Sequence, residues 1–141
     1  MKPYQVLLRL HESVYRRTRG WLGHRLIGMP TLLLTTRGRR TGRERTRALV
    51  YAASGTDLAV VASNGGQDAP PAWLLNLTAD PRVTVRLGRH RYAATARVVP
   101  PGDDRYDALL ARCDAVNRGR YSQHRQMTSR PIPVVVLERM A

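Results

Sequence analysis

Two alternating runs, "RVTVRL" (82–87) and "RYAATARVV" (91–99), are separated by only three residues, "GRH". A connection that short cannot carry a parallel crossover, so the two runs pair as an antiparallel hairpin. The same pattern occurs earlier in the chain. "TLLLTTR", starting at Thr31, is followed by the polar turn "GRRTG" and by "RERTRALVYAA" as its return strand. "SGTD" then turns into "LAVVAS", and "PIPVVVLE" (131–138) closes the chain as a further strand. Helical spacing is confined to three places. One is Pro3 to about Arg19, with Val6, Leu7, Leu10 and Val14 on a stripe; another is "WLLNLTAD", stopped by Pro81. The third follows Asp103 and Asp104, where Tyr106, Leu109, Leu110, Cys113 and Val116 recur. "NRGRYSQHRQMTSR" is polar, with room for one short helix. Hairpins without strand–helix–strand alternation exclude a doubly wound sheet. They predict a mainly β, α+β fold: a split β-barrel of about six antiparallel strands with added helices. No linker or repeat interrupts the 141 residues, so one domain is expected, with 1–30 as an amphipathic lead-in and 31–141 as the barrel.

The formal charge is +14, and arginine supplies nearly all of it, since Lys2 is the only lysine. Its densest stretch, "TTRGRRTGRERTR" from Thr35 to Arg47, holds six arginines against one acid, Glu44. Guanidinium is a planar, permanently charged fork suited to phosphate and carboxylate, so an anionic partner is expected. A general compositional bias toward arginine is the alternative. The basic N-terminal helix either packs on its own domain or lies on an anionic membrane through residues 4–19. Cys113 is the only cysteine and falls on an apolar stripe, which predicts a buried thiol and a reducing compartment. No apolar run approaches a membrane span, and the N-terminus is too polar for a secretory signal, so the cytoplasm is expected.

Familiar catalytic patterns are missing. There is no phosphate-binding P-loop, no glycine fingerprint opening a helix, no carboxylate pair and no nucleophile elbow. His11, His24, His90 and His124 are scattered, with no metal-ligand spacing, so no metal is expected. A cofactor therefore carries any reaction. Two loops are suited to hold one. "RGRRTGR" can converge guanidiniums and turn amides on an anion. "ASNGGQDAPPAW" offers Ser63 and Asn64 at a strand end, two glycines for close backbone approach, and a helix N-terminus at Trp73. A nucleic-acid-binding module is disfavoured: no aromatic lies between Thr35 and Arg47, and the chain has no phenylalanine for stacking.

Taken together, "LLLTTRGRRTGRERTRALVY", "VVASNGGQDAPPAWLLNLTADPRVTVRLG", "TARVV" and "RPIPVVVLE" resemble the deazaflavin (F420)-dependent nitroreductase family, over about residues 31–138. These are actinobacterial oxidoreductases of flavin-reductase-like split-barrel fold. The resemblance implies coenzyme F420, with FMN as the alternative cofactor. It implies hydride transfer from the reduced deazaflavin to an electron-poor acceptor such as a quinone or nitro compound. A non-catalytic F420 or flavin carrier on the same barrel is the alternative function, and a monomer and a homodimer both occur in the family. The family's Gly-Arg-Lys/Arg-Thr/Ser-Gly turn, which holds the phosphate end, matches Arg39, Arg40, Thr41 and Gly42, followed by Arg45. The strand passing the ring matches Arg47, Ala48, Leu49 and Val50. The Ala-Ser-Lys-Gly-Gly loop matches Ala62, Ser63, Asn64, Gly65 and Gly66, with Ser63 near the reactive ring. Pro71, Ala72 and Trp73 match the Pro-x-Trp segment, with Asn76 one turn on. Ser63, Tyr121 and His124 are the candidates for polarising the acceptor or relaying a proton. The sequence departs from the family pattern at Asn64, where lysine is common, and at Val50, where the family has tyrosine. It departs again before the last strand, which keeps Tyr121 of a tyrosine-rich segment beside Arg118 and His124.

Overall fold

The structure, a computed structural model, describes residues 29–140. The amphipathic helix expected from Pro3 to Arg19, and any membrane contact through 4–19, lie outside the described residues. Seven strands form one sheet: β1 (Thr31–Arg37), β2 (Glu44–Val50), β3 (Ala52–Ser54), β4 (Asp57–Val61), β5 (Arg82–Leu87), β6 (His90–Val99) and β7 (Val134–Arg139). Three helices interrupt them: α1 (Ala72–Ala79), α2 (Tyr106–Val116) and α3 (Arg120–Gln126).

All pairings are antiparallel, in the order β2-β1-β5-β6-β7-β4-β3. β2 and β3 stand at opposite ends of this order, yet only Tyr51 separates them in sequence. One residue cannot span a flat seven-stranded sheet at about 4.8 Å per strand, so the sheet curls back on itself. The split barrel is confirmed, with one strand more than expected. The run "RERTRALVYAA" breaks at a change of partner: Tyr51 still donates its amide to Pro30 O at 3.1 Å, in register with β1, and from Ala52 the chain pairs with β4 instead.

The barrel interior gathers Leu32 and Leu34 of β1, Val60 of β4, Val85 of β5, Ala94 of β6 and Leu137 of β7 around Trp73 and Leu77 of α1. Alternate residues point the other way. Val61, Val99, Val134 and Val136 meet Tyr106, Leu109, Leu110 and Cys113 of α2 on the outside of the sheet. β4 and β7 are thus covered on both faces, which is why "VVVL" reads as an unbroken apolar run rather than an alternating one. Each fully buried aliphatic side chain contributes about 1.5–3 kcal/mol. Tyr106 is buried with them and donates its hydroxyl to Ile132 O at 2.6 Å, fastening α2 to the chain entering β7. Cys113 is 2 % exposed, the expected core thiol, and burial pushes its pKa up to about 12.

α3 is the short helix in the polar segment. Arg118 and Gly119, both at positive φ, reverse the chain after α2. Asp114 of α2 then accepts the α3 amides of Tyr121 and Ser122, at 3.0 and 3.2 Å, and the Ser122 hydroxyl. A carboxylate at a helix N-terminus satisfies amides that have no partner within the helix and complements its dipole. Among the described residues no helix is long and apolar enough to cross a membrane.

Candidate active site

The turn between β1 and β2 folds over the start of α1. Gly38 donates to Arg43 O at 2.7 Å and accepts from the Gly42 amide at 2.8 Å, while Thr41 Oγ1 accepts the Arg43 amide. Asn76, 3 % exposed on α1, binds the turn from beneath. Its Oδ1 accepts both the Arg39 amide and Arg39 Nη1, each at 3.2 Å, and its Nδ2 donates to the buried Thr36 hydroxyl at 3.1 Å. Between this turn, β2 and the start of α1 runs an open groove of about 750 Å3. Arg39, Arg40, Arg45 and Arg47 line it against one acid, Glu44. Thr41, Asn64, Pro71, Ala72, Trp73 and Asn76 complete the predicted residues found there. α1 starts at the groove with no side-chain cap on its first amides, which favours an anion further.

The groove adjoins a smaller pocket of about 60 Å3, with Arg47, Asn64, Pro71 and Trp73 shared by the two. Ala48, Leu49 and Val50 of β2 form one wall of the pocket; Ser63, Gly65 and Tyr121 face it from the loop and from α3. The Ser63 hydroxyl and His124 Nδ1 share a hydrogen bond of 3.0 Å. His124 also meets the Tyr121 ring edge to face at 6.1 Å between centroids. The three predicted catalytic candidates, 61 residues apart at the extremes, therefore form one cluster at the end of the pocket.

Four predicted residues stand apart from the lining. Gly42 lies on the far side of its turn, beside a different surface groove with Arg37 and Arg82. Ala62 is fully buried in the barrel core. Gly66 approaches α3: a Cβ there would sit 2.9 Å from Met127 Sδ and 3.2 Å from His124 O. His124 reaches the pocket through Ser63. Asn64, at φ 48°, turns its amide into its own loop, donating to Ala69 O at 2.9 Å.

One residue that sequence reasoning missed holds this loop. Arg130, after α3, donates through Nε to Gln67 O at 3.0 Å, through Nη1 to Ala62 O at 3.2 Å, and through Nη2 to Ser63 O at 2.8 Å. Burial lowers its pKa from the ordinary arginine value, with Asp68 opposing that shift. Among the described residues no group of three or more His, Cys, Asp and Glu is placed to hold a metal ion.

A ligand matched to this site is anionic along part of its length and planar and uncharged at one end. The open groove is lined by four arginines, and the wall of β2 beside Trp73 is apolar, which matches that division in charge. F420, with its phosphodiester, glutamate tail and deazaflavin ring, fits that division. The family described as F420H(2)-dependent quinone reductase matches residues 7–139. The F420H(2)-dependent quinone reductase Rv1261c of Mycobacterium tuberculosis (strain H37Rv) is 46% identical over 134 residues, covering 94% of this chain and 90% of that protein. Among solved structures, an F420-H2 dependent reductase (FDR-A) matches with a TM-score of 0.68 and 31% identity, over 77% of this chain and 94% of its own. A domain-swapped dimer matches with a TM-score of 0.71 and 27% identity, over 97% of this chain and 100% of its own. With the family matched over nearly the whole chain and the groove suited to its cofactor, the chain belongs to the F420H2-dependent quinone reductases, oxidoreductases that use coenzyme F420.

Proposed function

We propose that the groove and the pocket are the two halves of one redox site, with a quinone as acceptor. Arg39, Arg40, Arg45 and Arg47 would hold the phosphodiester and tail carboxylates, while Ala48 to Val50, Gly65, Pro71 and Trp73 would hold the ring. Bound F420H2 supplies a hydride, and the quinone takes it together with one proton to become a hydroquinone. The residues of the chain do the rest. The apolar wall keeps water from the reacting faces, and positioning alone is worth several kcal/mol of a two-reactant barrier. The Ser63 hydroxyl would give the proton to the acceptor oxygen, and half-exposed His124, hydrogen-bonded behind it, would restore that proton from solvent. The observation that carries this reading is the 3.0 Å contact between Ser63, which lines the pocket, and His124. An imidazole in contact with both a hydroxyl and solvent can pass a proton between them.

The test is oxidation of F420H2 by menadione, with a nitro compound in parallel. Turnover with the quinone supports the reading. Binding of F420H2 without turnover on either acceptor would make the protein a carrier. Residues 4–19 would bring the enzyme to quinones held in an anionic membrane. Liposome co-sedimentation that is unchanged by deleting residues 1–20 would refute that contact.

A further inference from the structure

The segment after α2 touches the Ser63 loop repeatedly. The Thr128 hydroxyl donates to Asp68 Oδ1 at 2.8 Å, Gly66 is closed against Met127 and the His124 carbonyl, and His124 Nδ1 meets Ser63 Oγ. Arg130 makes the largest contribution. Its three donors go to three backbone carbonyls, those of Ala62, Ser63 and Gln67, all on the loop that carries Ser63. Carbonyls are poor compensation for a half-buried guanidinium, whose desolvation a carboxylate would offset better. Asp68 is near enough to act on Arg130 through space, but its carboxylate accepts from Thr128. The loop needs such a clamp. Asn64, Gly65 and Gly66 are all left-handed, at φ 48°, 66° and 82°, a run that glycine permits sterically but that costs chain entropy to order.

We infer that Arg130 is a positioning residue for the reaction: its fork fixes the Ser63 loop so that the Ser63 hydroxyl meets both the pocket and His124. The inference rests on the role proposed for Ser63. Arg130 itself lines neither the groove nor the pocket, so it acts through the loop. Two of its bonds grip the carbonyls of Ala62 and Ser63, and the third grips Gln67 beyond the left-handed run. The clamp therefore spans the segment whose conformation sets the direction of the hydroxyl. An ammonium has no planar fork and cannot reproduce three divergent donors to one loop.

The test is a cycle of Ser63→Ala, Arg130→Met and the double variant on the full chain. F420 affinity is read by fluorescence, and kcat and KM for menadione by F420H2 oxidation. Arg130→Met keeps much of the buried stem while removing the fork. The expected result is a fall in kcat of at least 10-fold for each single variant. F420 dissociation constants should change by less than kcat does, because the groove arginines are untouched and, besides Ser63, only Asn64 and Gly65 of the clamped loop face the cofactor side. In the Ser63→Ala background, adding Arg130→Met should lower kcat by less than 3-fold. Arg130→Lys should restore part of the lost kcat. Independent, multiplying losses in the double variant would overturn the inference, since Arg130 would then be acting on something other than Ser63. So would a normal kcat in Arg130→Met when Ser63→Ala is impaired. An unimpaired Ser63→Ala would instead sink the role proposed for Ser63 and leave Arg130 a structural clamp. If Arg130→Met does not fold, Arg130→Lys replaces it in the cycle, with the same expected non-additivity and the same refuting result.

Discussion

Asn76 holds the arginine turn to α1, and its removal separates scaffold from charge. It is 3 % exposed and makes three hydrogen bonds, two accepted from Arg39 and one donated to the fully buried Thr36 hydroxyl. Asn76→Leu has similar volume and makes none of them. A buried polar group left without a partner costs about 1–3 kcal/mol. Thr36 is strictly buried, while Arg39 is exposed and recovers water at its guanidinium. The expected loss is therefore about 3 kcal/mol, roughly one orphaned hydroxyl plus a weakened backbone bond. For a chain of this size that lowers Tm by about 10 °C. The turn, no longer fixed, should also lose about 10-fold in F420 affinity. Asn76→Asp is the informative partner. Its carboxylate still accepts from the Arg39 amide and guanidinium, and the Thr36 hydroxyl can donate to it in turn. Stability should fall less than for Asn76→Leu, because these partners offset part of the desolvation a carboxylate meets at a buried position. Affinity should nevertheless fall, because a fixed negative charge now opposes the anion in the groove. Urea denaturation gives the first quantity and fluorescence titration the second. If Asn76→Asp bound F420 as tightly as the parent protein, the groove would not be an anion site near Arg39, and the reasoning would fail.

Three further outcomes follow from the same geometry. Gly66→Ala should cost about 1–3 kcal/mol, from the left-handed backbone and from the collision with Met127 and the His124 carbonyl, as thermal unfolding would register. Adding Met127→Ala should recover only part, because the carbonyl contact remains. Cys113, whose pKa is raised from 9.0 to about 12 by burial, should resist a thiol reagent at pH 8 until the protein is unfolded. Its folded pKa lies above its unfolded one, so its contribution to stability is complete below about pH 9 and is lost as pH climbs toward 12. Arg39→Ala with Arg40→Ala should weaken F420 by at least 10-fold, each charged hydrogen bond to a phosphate being worth roughly 1.5–3 kcal/mol, and should weaken FMN less, because FMN has a phosphate but no carboxylate tail to lose contacts.

How far the sequence could be read depended on the range of the interaction. The hairpins β1–β2 and β5–β6 were legible because alternation and a short turn are local, and each strand's partner is its neighbour. Sequence alone joins β2 and β3 in one strand, because the change of partner after Tyr51, from β1 to β4, is set by barrel closure, which leaves no local trace. The arginine turn was legible as charge at a glycine turn. Asn76 lines the groove, as the resemblance implies, but its bonds to Arg39 and Thr36, 37 and 40 positions away, leave no mark in the sequence. The resemblance puts Gly66 on the cofactor side too, yet what demands a glycine is the packing of α3. Arg130 was invisible for a plain reason. Its partners are backbone carbonyls more than 60 positions away, and any residue type supplies a carbonyl.

The claim on which the rest depends is that the arginine groove holds a cofactor anionic along its length. Fluorescence titration of the purified protein with F420, and in parallel with FMN, tests it most directly. Saturable F420 binding at micromolar concentration or tighter is expected, weakening as salt is raised, with FMN bound at least 10-fold less well. FMN binding as tight as F420, or no binding of F420 at all, would contradict it.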